Sequence, residues 1–299
     1  MRIEELRGLA VAGLLLATWS APHSTAFGSG TRARAGLCLA LRQEPAPVVP
    51  GPSPPALKPD EVEIEYIAHA CFRIRSPGGK RVLIDPYASR VWIGYDFPRD
   101  LATDAVFITH PHYDHDAGRW MGEDTSWMDG LRVIDAPGSY EVGDVHVRGI
   151  AGKHADPYGK EFGQKNTIWL VEVAGLRIVH LGDNGPLSAA NVEELGRVDV
   201  LMIPIDAQHH ILSQAEIQEI RHALKPRVLV PMHYRLPDLE VDADSPEKLG
   251  PIDPWLEGEA RVRRLEGNSA IFAAGSLPEL EQVVVFRHSP AVPLPKAGR

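Results

Sequence analysis

The chain has 299 residues, 44% of them hydrophobic and 24% charged, which is enough apolar material for a full globular core and too much for a disordered chain. A formal net charge of −9 leaves no broad basic surface to neutralise a phosphate backbone and disfavours nucleic acid as a partner. Only two cysteines, Cys38 and Cys71, are present, which excludes a disulfide framework and a cysteine-rich zinc module.

Residues 9–21 (LAVAGLLLATWSA) form an apolar run behind Arg2 and Arg7 and ahead of small residues. This is the layout of a secretory signal peptide over 1–26, and the run is short for a bilayer span. Export to the periplasm or beyond is expected if the leader is used. Glu4 and Glu5 dilute its positive start, and the alternative is a start codon misplaced upstream of a cytoplasmic enzyme. Residues 27–59 read as a low-complexity linker, with seven prolines among positions 45–59, and the folded domain is expected over 60–288 with a flexible tail at 289–299.

From 61 the pattern alternates: EVEIEYI, CFRIR and RVLID predict strands of a hairpin run, with SPGGK as a turn. DAVFIT at 104–109 is more continuously apolar and suits a buried central strand. Further strands are predicted at 131–134, 145–150, 167–173 and 176–181. SAANVEELG at 188–196 reads as a short helix before the strand VDVLMIP, and the capping box SQAE at 213–216 starts a second, with Ile217, Ile220 and Leu224 on one face. The strand RVLVP at 227–231 follows and runs into Met232-His233-Tyr234. An acidic, Pro-containing surface loop is expected at 238–254, and last strands near 269–273 and 282–287.

The stretch THPHYDHDAG, residues 109–118, leaves the predicted central strand with His110, His112, Asp114 and His115 within six positions. A histidine pair on a loop is commonly surface decoration; four ligand-type side chains at a strand terminus are a much rarer arrangement and point to metal. The remaining ligands are sought at other strand ends, where His154, Asp183 and His233 qualify.

THPHYDHDAG, a single loop histidine, HLGDNG and PMHY together resemble the metallo-β-lactamase-fold hydrolase superfamily, over nearly all of 61–235. YIAHACFRI–LIDPY and IDAQHHILSQAE–LKPRVLVPMHY look most like its compact branch, which includes ascorbate-6-phosphate-lactonase-like proteins. The resemblance implies an α/β fold, a four-layer αβ/βα sandwich with a dinuclear site at the strand ends. It implies that His110, His112 and His154 hold one metal, that Asp114, His115 and His233 hold the other, and that Asp183 bridges them. His154 is the weakest of these, with His146 close by in a predicted strand. Asp85 in LIDP is expected to orient a ligand, while His69 and His180 occupy positions where the superfamily often carries histidine and are read at least as well as hydrogen-bonded, partly buried structural imidazoles. His209 and His210 lie at the expected rim, His222 and His288 toward solvent, and Tyr234 is either an oxyanion donor or a packed ring.

Such a site implies hydrolysis by a hydroxide shared between two cations, with Asp114 or Asp183 taking its proton. Zinc is the expected metal, and iron or manganese suit the same donors. His112, where the oxygen-reducing di-iron branch carries a carboxylate, argues against that branch, and the aspartate at 183 argues against antibiotic hydrolysis. Fifty residues from Asp183 to His233 leave no room for the inserted domain of family nucleases, which favours an ester, lactone, thioester or phosphoester of a small molecule. The alternatives are a phospholipase D-like phosphodiesterase acting on a membrane lipid headgroup and a non-catalytic metal-binding or ligand-sensing protein. A homo-oligomer is compatible with the resemblance.

Overall fold

The computed structural model describes residues 55–88, 93–119, 122–206, 211–237, 239 and 249–294. The expected leader, the linker up to residue 54, and His209 and His210 lie outside the described residues.

Alternation builds the first strands. In β1 (Glu61–Ala68) Val62, Ile64 and Tyr66 point inward and the intervening glutamates outward. The hairpin with β2 (Cys71–Arg75) sets Arg75 opposite Glu63 and Arg73 opposite Glu65, and each arginine Nε donates to its partner's carboxylate at 2.8 Å. These pairs clothe the outer face of the sheet. β3 (Arg81–Ile84) pairs antiparallel with β2, and β4 (Ala105–Phe107) and β5 (Arg132–Ile134) then add in parallel.

The second sheet opens with an antiparallel meander of β6 (Gly138–Val142), β7 (Val145–Lys153), β8 (Lys165–Val173) and β9 (Leu176–His180), with a one-turn helix, α1 (Tyr158–Glu161), between β7 and β8. After α2 (Ala189–Leu195) and α3 (Gln214–Leu224), strands β10 (Val200–Pro204) and β11 (Val228–Met232) join β9 in parallel. Following α4 (Asp253–Leu256), β12 (Val262–Arg264) and β14 (Gln282–Val285) extend that sheet, while β13 (Ser269–Ala273) crosses back to pair with β1. The orders are β13-β1-β2-β3-β4-β5 and β12-β14-β11-β10-β9-β8-β7-β6. β6 and β12, short and largely exposed, lack the apolar pattern that marks the other strands in sequence.

The core lies between the sheets. On β10, Val200 and Met202 join Val62, Ile64 and Trp169 in that layer, whereas Leu201 and Ile203 pack with Ile217, Ile220 and Leu224 of α3. A strand buried on both faces needs the unbroken apolar run VLMIP. Ser188 and Ser213 are the caps of α2 and α3, each in a capping box, which accounts for both hydroxyls without catalysis. Residues 289–294, expected as a loose tail, are held instead: the Ser289 N–H donates to the Ile67 carbonyl at 2.8 Å, and Val292 is buried in the core. No helix among the described residues is long and apolar enough to cross a membrane.

Candidate metal centre

The C-terminal ends of β3, β4, β7, β9 and β11 meet at one rim, and each delivers a polar side chain there. Asp85 follows β3 at φ 51°, with its N–H on the Phe107 carbonyl of β4. Its buried carboxylate accepts three hydrogen bonds, from Thr109 N–H (2.8 Å), Thr109 Oγ (2.7 Å) and His115 Nδ1 (2.7 Å). Thr109 Oγ in turn accepts from His110 Nδ1 at 2.9 Å, and the His154 Nδ1–H donates to the Ala155 carbonyl at 3.0 Å. Proton placement follows from this network. The result is that His110 and His154 both direct an Nε2 lone pair inward, buried and without a hydrogen-bond partner among the described residues.

The loop that carries the histidines is wound tightly. The His112 carbonyl accepts from the N–H groups of His115 and Asp116, both at 2.9 Å, and Ala117 N–H donates to Pro86. His154, after β7, and Asp183, after β9, come from strands separated by β8, and the segments beyond their ends are stapled by Ala155 N–H to the Asp183 carbonyl (2.9 Å) and Gly185 N–H to Lys153 (3.0 Å). Gly182, at φ 57°, permits this approach: a Cβ there would sit 2.6 Å from both Asn166 Oδ1 and Thr109. His233, at φ 60°, donates its backbone N–H to the His69 carbonyl at 3.0 Å.

The side chains fall into two sets, His110, His112, His154 and Asp183 in one and His69, Asp114, His115 and His233 in the other, with the ligand-type atoms of each set within 4.8 Å of one another. Asp183 faces both: Oδ2 is 3.8 Å from His110 Nε2, 3.7 Å from His154 Nε2 and 3.4 Å from His233 Nε2, and Oδ1 is 3.3 Å from His115 Nε2. Separations of this size suit donors arranged about a cation roughly 2.0–2.2 Å from each. The inward lone pairs of His110 and His154 are what such an ion would satisfy. The structure thus brings together all seven residues singled out in the sequence, and adds His69, whose Nε2 is 3.0 Å from Asp114 Oδ2.

Other histidines are accounted for elsewhere. His180 is buried and donates Nε2–H to the Ala70 carbonyl while Nδ1 accepts from Gly182 N–H. His146 bonds Glu172 and Ser139 along the sheet, His222 is exposed on α3, and His288 is half-buried. Tyr234 is buried and stacked on Tyr66 with ring centroids 6.3 Å apart, so it packs the core and presents no donor to the site. Tyr158, which no sequence pattern marks, lies with its ring edge-on to His112 and His154, at 5.1 and 5.3 Å.

A profile of the β-lactamase superfamily domain matches residues 63–233, more than half of the chain. The chain belongs to this superfamily. A UPF0173 protein of Pyrococcus furiosus is 32% identical over 190 residues, covering 58% of this chain and 83% of the relative. A UPF0173 metal-dependent hydrolase of Thermococcus onnurineus is 28% identical over 210 residues, covering 63% and 92%. The crystal structure of a Thermotoga maritima protein described as a zinc-dependent hydrolase of the metallo-β-lactamase superfamily superimposes with a TM-score of 0.55 at 28% identity, covering 76% of this chain and 98% of that one. The chain is therefore a metal-dependent hydrolase of metallo-β-lactamase fold. Like its superfamily it carries a His/Asp cluster able to hold metal.

Without cations, this β-lactamase-superfamily site sets two imidazoliums, His115 and His233, against its carboxylates. Burial keeps His110, His112 and His154 below the usual histidine range and so neutral. Burial is the largest single influence on His115 and His233 and opposes their charge, but the carboxylates together outweigh it, Asp183 foremost with Asp114 beside it and Asp85 also acting on His115, holding His115 well above 6.5 and His233 up at about 10. Asp114 and Asp183, despite burial, are held far below the carboxylate range, with His115 the strongest opposing influence on each. In the metal-free protein, His233 contributes stability that is complete below pH 6.5 and lost as pH rises towards 10. The two carboxylates contribute above about pH 4 and lose that contribution as pH falls. Cations must displace the protons of His115 and His233, whereas the His110 set is ready to bind. Loading at pH 7 is expected to release about two protons per chain, mostly with the second equivalent. Calorimetry in buffers of different ionisation enthalpy measures this, and proton-neutral loading would contradict the charge assignment.

Proposed function

We propose that the chain is a two-cation hydrolase of a small-molecule ester, lactone or phosphoester, with zinc in both positions and iron or manganese compatible with the same donors. The single observation behind this reading is the pair of ligand sets that meet on the two oxygens of Asp183. Cations bound there would supply Lewis acidity and lower the pKa of water. The side chains do the rest. His110, His112 and His154 would hold one cation and His115, His233 and Asp114 the other, with Asp183 serving both sets. Asp114 or Asp183 would take a proton from the attacking water. Asp85, through His115 Nδ1, and Thr109, through His110 Nδ1, fix the ring tautomers that leave Nε2 to the site.

A panel of p-nitrophenyl esters, p-nitrophenyl phosphodiesters, lactones and phosphatidylcholine vesicles, assayed with zinc and with chelator, tests this. Turnover of a soluble substrate that chelation abolishes and zinc restores is expected. Chelator-insensitive turnover would reject the mechanism, turnover confined to vesicles would favour a lipid phosphodiesterase, and two bound cations without turnover would indicate a binding or sensing role.

A further inference from the structure

Among the described residues, the candidate ligands are buried with one exception. His110, Asp114, His115, His154, Asp183 and His233 are all buried, and His112 alone of the seven is half-exposed. Tyr158 stands at that opening. Its ring contacts His112 and His154 edge-on, and Phe162 lies against it at 5.8 Å, tilted by 34°, with 71% of its surface exposed. Rings therefore run in an unbroken line from the ligand histidines to solvent.

This line is built, not incidental. The segment is closed on itself by His154 N–H to the Gln164 carbonyl (3.1 Å), Gly159 N–H to Ala155 (3.0 Å) and Gln164 N–H to Tyr158 (3.0 Å). Gly159 rests on the His154 carbonyl so closely that a Cβ would fall 1.8 Å from that oxygen. The backbone of the turn is thereby tied to a candidate ligand. Phe162 has no such structural duty. Among the described residues it is one of three large hydrophobic side chains left exposed, and it is the one of them that contacts a ring at the site opening.

We propose that Tyr158 and Phe162 form a specificity wall that receives an aryl or similarly flat apolar group attached to the hydrolysed bond. This rests on the hydrolase reading above and adds the substrate class. Tyr158 sets the inner limit of the group and Phe162 stacks on its outer part. Aromatic side chains favour such offset or edge-on partners, and a flat ring is the shape that such a wall accepts. A lipid surface is the weaker reading, because Phe162 lies against Tyr158, whose ring meets the candidate ligands His112 and His154.

The test compares acetohydroxamate and benzohydroxamate, which bind metal without being turned over, on the zinc-loaded full chain and its Phe162→Ala variant by calorimetry. The wild type is expected to prefer benzohydroxamate, and Phe162→Ala to weaken that probe about fivefold while sparing acetohydroxamate, zinc content and thermal stability. KM for aryl esters should rise in parallel, with kcat unchanged. An unaltered benzo-to-aceto ratio in Phe162→Ala overturns the proposal. So does loss of binding to phosphatidylglycerol vesicles in the variant with the ratio unchanged, which would assign Phe162 to a lipid surface. Preference for benzohydroxamate without turnover on any panel leaves the wall in place and removes the hydrolase reading; failure of both probes to bind removes both.

Discussion

Asp183→Asn is expected to cut zinc content from about two ions per chain to about one or none. With it, kcat/KM should fall by well over a hundredfold, beyond what the loss of a ligand's supporting partner costs. The reason is geometric. Both carboxylate oxygens are in use, Oδ1 toward His115 and Oδ2 toward His110, His154 and His233, so no neighbouring group can replace it. Removing its charge also deprives His115 and His233 of the foremost influence that holds their protons in the metal-free state. Metal analysis and steady-state kinetics beside His222→Ala, an exposed position on α3, provide the measurement. Full zinc content in Asp183→Asn, or an equal loss in His222→Ala, would refute the assignment.

Asp85→Asn tests the support beneath the second position. Its carboxylate accepts from three donors, and an amide can accept with only one of its two heavy atoms. If the amide oxygen stays on Thr109 N–H, its NH2 group faces His115 Nδ1, which must then give up its proton and move it to Nε2. A protonated Nε2 cannot bind a cation. Affinity at the second position is expected to fall about 10- to 100-fold, with activity recovering as zinc is raised, a rescue Asp183→Asn should not show. Thermal stability should fall as well, since a buried charged hydrogen bond contributes about 1.5–3 kcal/mol. Zinc titration of activity and thermal unfolding follow both effects; an unchanged zinc requirement would mean that Asp85 does not set the His115 tautomer.

Most of the candidate ligands were legible because they follow apolar runs, His110 after AVFIT, Asp183 after LRIVHLG and His233 after VLVPM, whereas His154 follows the mixed, partly exposed strand β7 and was the weakest of the set. Strands buried on both faces advertise themselves by composition, and the residues that follow them are carried to the same rim. His69 was legible only as one of two readings, and Tyr158 not at all, for the opposite reason. His69 sits in a two-residue connection between β1 and β2, and only the left-handed turn at φ 58° swings its ring to Asp114. Tyr158 belongs to a turn whose four helical residues carry no periodicity to read. Tyr234 shows the converse: adjacent to His233, it leaves on the other side of the chain and packs against Tyr66.

By itself the sequence determined which chemistry is available, because residue type and strand-end spacing limit what a cluster of imidazoles and carboxylates can bind. Tertiary structure alone decided how that chemistry is arranged. It put the two oxygens of Asp183 between two histidine sets, gave Asp85 three donors, and left one half-exposed histidine beside a wall of aromatic rings. These are distances between residues far apart in the chain, set by how two sheets pack face to face, and no local pattern encodes them.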